Sequence, residues 1–513
     1  MPKPKSFLKD TKSKKKKKAA APETADEYLA EGVDLEEAGE KWRAGDAAKS
    51  MRFFMRAIEM YDAGLTRFPN SFDLAYNKAR IQYEITQHPK LLSQLPAPPI
   101  EILRIALDSH REALNKDQDN ADILFNTAQV LTSLSEALTE GKRSAELRAE
   151  EALKYLQEAL ELFQRCLVLQ ELRFTEYQEE MQVMQQQVGN IEQQQGSSMM
   201  DIDIQQQPQQ IQSQTPTESE EWAVVLEPVT KNTLIDTAIA QLDTLTTLCG
   251  LLTYDPGSSL AWVEEYSSDL LREKIAAYVE GTDRVREVAI AKAKFLSGLL
   301  EVTYRNGSID FNTYKNELDS AFNTAAEMIN DDPAGLCSHA EALVNFNSAI
   351  TDVFNPQNSA DLARSLDVRW QALTLALSRL SAASKLAGTE NIPKIHIARG
   401  DAEMHRWRLG IGPIEYKPAK ENAPTLLKNA ETYYRGAAGV AKRDGWAEEE
   451  REGSAKEAFA IGLRGDMSVL EMIAVTSKEY LMRVADEMVD DGLVAPDDML
   501  TIKSKMDPEE IVF

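Results

Sequence analysis

One short stretch near the N-terminus limits what this chain can fold into. It reads Lys41-Trp42-Arg43-Ala44-Gly45-Asp46, continues through Phe53-Phe54-Met55-Arg56-Ala57-Ile58 and reaches Phe68-Pro69-Asn70-Ser71. Leu35, Ala38 and Trp42, then Phe54, Ala57, Ile58, Tyr61 and Leu65, recur three, four or seven residues apart, which places each set on one face of a helix. A small turn, Gly45-Asp46, separates the two helices. The second closes at Phe68-Pro69-Asn70, and a third opens at Phe72-Asp73-Leu74-Ala75-Tyr76.

This arrangement resembles a tetratricopeptide (TPR) repeat, in which helix pairs of about 34 residues stack into a superhelix. Phe54 and Ala57 match the large and small packing positions of the second helix; Pro69 falls late, which lengthens that helix by about two turns. A second match runs from Ile105-Ala106 to Ala113-Leu114, then through Asp117-Gln118-Asp119-Asn120 in place of the usual proline, to Ala121–Ala128. Pro89, Pro96, Pro98 and Pro99 mark a loop insertion between the two. Ala152 to Leu169 ends the array, with Ala159, Phe163, Cys166 and Leu167 on one face.

The resemblance implies a protein-binding groove lined by the first helix of each pair. On those helices Asn77, Lys78, Gln82, Asn126 and Gln129 are the protein-binding candidates, with Asp73, Glu84 and Asp122 as acidic ones, while Trp42, Tyr76, Tyr83 and Phe125 are placed to pack between helices. One TPR group holds chaperone C-terminal carboxylates with Lys and Asn. Its first two positions fall here on Leu35 and Gly39, neither of which can hold a carboxylate.

Charge adds a partner class. Residues 1–18 carry nine lysines and one aspartate, +8, so a total of −26 leaves −34 on the rest. Such an acidic body repels nucleic acid and attracts basic protein. Lys14, Lys15, Lys16, Lys17 and Lys18 form a candidate nuclear localisation signal. No window approaches the roughly 18 apolar residues of a membrane span, and the Lys-rich start lacks the apolar core of a secretory leader. Three scattered cysteines, Cys166, Cys249 and Cys337, make no disulfide framework. A nuclear and cytoplasmic location is the expectation.

The composition divides the chain into a disordered Lys-rich tail over 1–24, an N-terminal array over 25–177, a Gln-rich linker over 178–219, a C-terminal helical-repeat array over 220–500 and a tail over 501–513. Fifteen glutamines fall between Gln178 and Gln214; the first part can extend the preceding helix, and Gly196 to Ser219 cannot bury a core. In the later array Gly400 stands where a missing side chain lets two helices cross closely. Runs such as Ala223-Val224-Val225-Leu226 are too short for a sheet, so the expected fold is all-α, with TPR-like hairpins stacked into a superhelix in two arrays.

Catalytic and cofactor chemistry finds no support. The five histidines, His88, His110, His339, His396 and His405, show no zinc-motif spacing, and no Gly-Lys-Ser/Thr loop follows a strand. The expectation is a non-enzymatic scaffold or chaperone, without cofactor or metal, for a basic client such as a ribosomal protein. An acidic body with a lysine-rich tail is similar in kind to the ribosomal-protein assembly chaperones of fungi. The alternative is a structural subunit or regulator of a nuclear RNA-processing or translation-factor complex. A chaperone should be soluble alone and bind with strong salt dependence; a subunit should aggregate without its complex.

Overall fold

The computed structural model describes residues 21–140, 142–195, 228–254, 259–354, 359–412 and 415–506. It is all-α, with no strand among the described residues. Two compact units divide the chain, Met1–Val130 and Leu131–Phe513. The first holds α1 (Ala25–Arg43), α2 (Ala47–Arg67), α3 (Phe72–Gln87), the single turn α4 (Pro89–Leu92) and α5 (Pro99–Lys116). The division falls within α6 (Ala121–Leu138). There follow α7 (Lys142–Gln195), α8 (Lys231–Leu252), α9 (Ser259–Asp269), a π-helical turn at Leu270–Lys274, α10 (Ile275–Val279) and α11 (Val285–Arg305). Next come α12 (Phe311–Thr324), α13 (Ala326–Ile329), α14 (Pro333–Val353), α15 (Ser359–Ala383) and α16 (Ile392–Arg408). The chain closes with α17 (Lys417–Glu421), α18 (Ala423–Asp444), α19 (Ala447–Leu463), α20 (Ser468–Asp490) and α21 (Pro496–Met506).

The first hairpin shows how local sequence makes this architecture. Thr24 caps α1: its hydroxyl accepts the Glu27 N–H at 3.2 Å, while the Glu27 carboxylate accepts the Thr24 N–H at 3.3 Å. Asp46 opens α2 by accepting the Lys49 N–H at 2.9 Å. The Ser50 hydroxyl then donates to Gly39 O at 2.8 Å, tying the helices where they cross. A Cβ on Gly39 would stand 2.6 Å from the Phe54 ring, so only glycine permits this approach. Phe54, Ala57 and Tyr61 are fully buried in the core so formed.

The second unit repeats the principle along three apolar clusters. Leu156, Leu160, Leu242, Leu245, Val263 and Phe295 join α7 to α8, α9 and α11. Tyr314, Phe322, Leu343, Phe346 and Ala376 join α12, α14 and α15. Leu373, Tyr434, Phe459, Leu481 and Met488 carry the core on through α18, α19 and α20. Gly400 on α16 lies under the Tyr434 ring, where a Cβ would overlap it; this is the close crossing that the sequence indicates.

The Gln-rich stretch over 178–219 lies within the second unit. Gln178–Gln195 belongs to α7, and residues 196–219 lie outside the described residues, as do the lysines 14–18. The helices on either side of the stretch bury each other instead. Thr247 donates to Glu136 at 2.9 Å and Thr237 to Gln170 at 2.8 Å. Thr132 meets Thr244 at 2.9 Å and Glu136 meets Thr247, so α6 and α8 run parallel. Composition cannot show such pairing, because polarity of the connection says nothing about the apolar faces that it joins. Gly465, with φ +101°, ends α19, and α20 begins anew at Ser468.

Candidate functional site

The protein-binding candidates lie on α3 and α6, and three of the five differ in setting from the rest. Asn77 is half-buried; its Nδ2 donates to Asp73 O at 2.8 Å and its Oδ1 accepts from Arg80 at 3.4 Å. Asn126 is likewise half-buried and donates to the Tyr76 hydroxyl at 3.1 Å, linking α6 to α3. Gln129, on α6, is half-buried. Lys78 points back to α2, where its ammonium meets Asp62 at 2.6 Å. Gln82, by contrast, is buried, with Oε1 lacking a hydrogen-bond partner. The reason is register, since Ala75, Ala79, Gln82 and Thr86 form one buried stripe at four-three-four spacing.

The open stripe of α3 is offset from that one and reads Asp73, Asn77, Arg80 and Glu84. It faces Glu36, Glu40 and Arg43 on α1. Arg80 donates to Glu36 and, at 3.0 Å, to Glu84. The Tyr61 hydroxyl donates to the other Glu36 oxygen at 2.5 Å. Arg43 Nη1 lies 2.6 Å from Glu40 Oε1, 3.4 Å from Glu84 Oε1 and 2.7 Å from His88 Nε2. Sequence reasoning missed Glu36, Glu40, Arg43 and His88. The signal was present, because Glu36, Glu40 and Arg43 share one helix face at four-three spacing.

Burial and crowding shift the titration of this face. Glu84 is pushed up to about 7, first by burial and then by its hydrogen bond with Glu40, against the pull of Arg80. Burial disfavours the Arg80 charge, but Glu36 and Glu84 outweigh it and hold the guanidinium ionised. His88 is lowered by burial and by Arg43. Carboxylate oxygens of Glu40 and Glu84 and a ring nitrogen of His88 lie within 4.8 Å of one another, a spacing that could hold a metal ion. Arg43 contacts all three groups, so a guanidinium already fills the cationic position.

His110, His339 and His405 are buried packing elements. His110 Nδ1 lies 2.7 Å from Ala106 O, and burial lowers its pKa to about 4. His339 stacks on Phe322 with centroids 4.3 Å apart, and His405 is buried and lowered to about 4.

No family model matches the chain. It is 34% identical over 183 residues to the UPF0656 protein C926.02 of Schizosaccharomyces pombe, covering 35% of this chain and 38% of that one. An uncharacterized protein of Saccharomyces cerevisiae, YNL193W, is 32% identical over 85 residues, covering 16% of this chain and 15% of its own. The chain thus spans well under half the length of either relative. Among solved structures, a circular tandem repeat protein with novel repeat topology overlaps 94% of this chain and 98% of its own at a TM-score of 0.28 and 14% identity. Yeast Tom70 overlaps 88% and 100% at a TM-score of 0.20 and 11% identity. Neither overlap is close enough to carry a functional parallel.

Proposed function

We propose that the protein is a non-enzymatic binding scaffold, and a chaperone, for a basic protein segment such as one from a ribosomal protein. One observation carries this reading: on the α1–α3 face the head groups of Arg43 and Arg80 already seat on Glu36, Glu40 and Glu84. A face that holds guanidinium groups of its own chain has the carboxylates, hydrogen-bond geometry and partial burial to hold those of a partner. Asn77, Asn126 and Gln129 beside it offer amides to an extended backbone. The acidic body supplies long-range attraction, and the lysines 14–18 serve nuclear import. Titration of a fluorescent Arg- and Lys-rich peptide at low and high salt tests the reading. Saturable binding that weakens with salt is expected, and a peptide of reversed charge should not bind. Equal binding of both peptides, or of neither, overturns it.

A second reading, a permanent subunit or regulator of a nuclear RNA-processing or translation-factor complex, is favoured by Met472 and Val475 on α20. They are 68% and 84% exposed, close to a break in helical geometry at Ser477. Aggregation of the isolated chain, relieved by co-expression with such a complex, would select it over the first.

A further inference from the structure

Arg369, on α15, is buried without a carboxylate. It is 8% exposed, and its guanidinium reaches the last turns of α14. Nε donates to Asn347 Oδ1 at 2.9 Å and Nη2 to Thr351 Oγ1 at 2.6 Å. Both acceptors are neutral. The Thr351 hydroxyl proton is spent on Asn347 O at 2.8 Å, so its oxygen offers Arg369 a lone pair alone. These bonds fix the fork and leave Nη1 without a partner among the described residues. A buried guanidinium with no opposite charge is costly, and this chain has 83 Asp and Glu residues from which one could have come.

The carboxylates around it are engaged elsewhere. Asp352, which favours the Arg369 charge, accepts from Arg305 at 2.9 Å, and Arg305 also holds Glu301 at 2.8 Å. Asp367, two residues before Arg369, accepts the Tyr416 hydroxyl at 2.7 Å. On α16, Glu403 takes Arg406 at 2.8 Å.

What α16 brings to Arg369 is a second positive charge. The Arg406 guanidinium lies 4.1 Å from the centre of the Trp370 ring, so the end of α16 packs beside this part of α15. Arg408, the last residue of α16, is half-buried and has no hydrogen bond or ion pair among the described residues. Burial and then Arg408 lower the Arg369 pKa to about 10, against the pull of Asp352. His405, one turn before Arg408, has its pKa lowered to about 4 and adds no charge at neutral pH.

We propose that Arg369 and Arg408 bind a phosphate group where α14, α15 and α16 meet, either free or carried on a phosphorylated side chain of a partner. One guanidinium fork fills the two oxygens of a carboxylate, whereas a phosphate group presents three and can accept from two forks on different helices. Asn347 and Thr351 hold the Arg369 fork in place beforehand, which removes the cost of ordering it on binding. The net charge of −26 repels long polyanions such as nucleic acid and leaves the site to a compact anion. This site lies in the second unit and the basic-peptide face in the first, so each stands or falls by its own test.

Isothermal titration of the full-length chain with inorganic phosphate, at neutral pH and low salt, tests the proposal. One saturable site is expected, and acetate at matched ionic strength should bind at least tenfold more weakly. Arg408→Ala removes a side chain with no internal partner, so the variant should keep the wild-type melting temperature and lose at least tenfold in phosphate affinity. Phosphate should raise the melting temperature of the wild type and leave that of the variant unmoved. A neutral peptide carrying one phosphoserine separates the two sources. Binding at least tenfold tighter than that of phosphate, and lost with the phosphoryl group, assigns the site to a partner; binding no tighter than phosphate assigns it to the free ion. Absence of saturable phosphate binding, equal affinity for acetate, or equal phosphate affinity in Arg408→Ala overturns the proposal.

Discussion

The Tyr434 hydroxyl donates a 2.7 Å hydrogen bond to Asp401 Oδ1, and its ring lies over Gly400, the residue before. The same carboxylate receives the buried Lys456 ammonium at 3.1 Å. An equivalent device stands in the first unit, where Tyr61 donates to Glu36 and its ring covers Gly32. In both, a glycine makes room for a tyrosine ring from a neighbouring helix and a nearby carboxylate on the glycine's own helix takes its hydroxyl. Burial raises the pKa of both phenols, keeping them protonated donors.

Gly400→Ala should therefore destabilise the second unit. Its new methyl group meets the Tyr434 ring, and overpacking of this kind costs about 1–3 kcal/mol. Tyr434→Phe keeps the ring and loses only the bond to a charged acceptor, worth about 1.5–3 kcal/mol. Urea unfolding followed by circular dichroism measures both. Wild-type stability of Gly400→Ala would show that the helices can separate at no cost.

Glu84 gives a pH signature. Its pKa is raised on folding, from 4.5 to about 7, so the folded state holds an extra proton between those values. Stability from this group is present below pH 4.5, falls as pH rises through the interval and is lost above 7. Glu84→Gln fixes the uncharged state, so the variant should gain on wild type by on the order of 1 kcal/mol at pH 8 relative to pH 4, below the unfolded value. His88, lowered on folding, has the opposite slope but is present in both proteins. Thermal melts at the two pH values test this; a constant difference between them would mean that Glu84 titrates normally.

On the binding face, Asn77→Ala with Asn126→Ala should weaken capture of a basic peptide roughly tenfold, since each lost hydrogen bond is worth about 0.5–1.5 kcal/mol. Raising salt from about 50 to about 500 mM should separately slow association, because exposed charges are then screened over a shorter distance. Circular dichroism controls for folding. Unchanged affinity in a folded double variant would move the site off α3 and α6.

Replacing the lysines 14–18 together by alanine should shift a fluorescent fusion from nucleus to cytoplasm. The chain is 57.3 kDa, so passive entry is slow. An unaltered nuclear signal would assign import to another segment.

Local patterns carried the fold well. The Gly45-Asp46 turn, the buried Phe54 and Ala57 and the close approach at Gly400 all follow from short-range spacing. The site was less legible for two physical reasons. Gln82 and Glu84 are two residues apart on one helix, and that offset alone separates the buried stripe from the open one. The pairing of Arg80 with Glu36 spans 44 residues and depends on how α1 lies against α3, which no local pattern encodes. The contact of α7 with α8 was hidden likewise, behind a connection whose composition reads as a boundary.

That contact has a genetic consequence. Because Gln170 and Thr237 meet across a shared core, continuity of the backbone through 196–219 is not what holds the two sides together. The gene could be divided there, and polypeptides 1–195 and 220–513 made separately should find each other and co-elute as one particle. The same stretch should accept an inserted fluorescent domain, giving a tagged protein with both termini left free. Failure of the two polypeptides to associate would show that the core needs the tether to form.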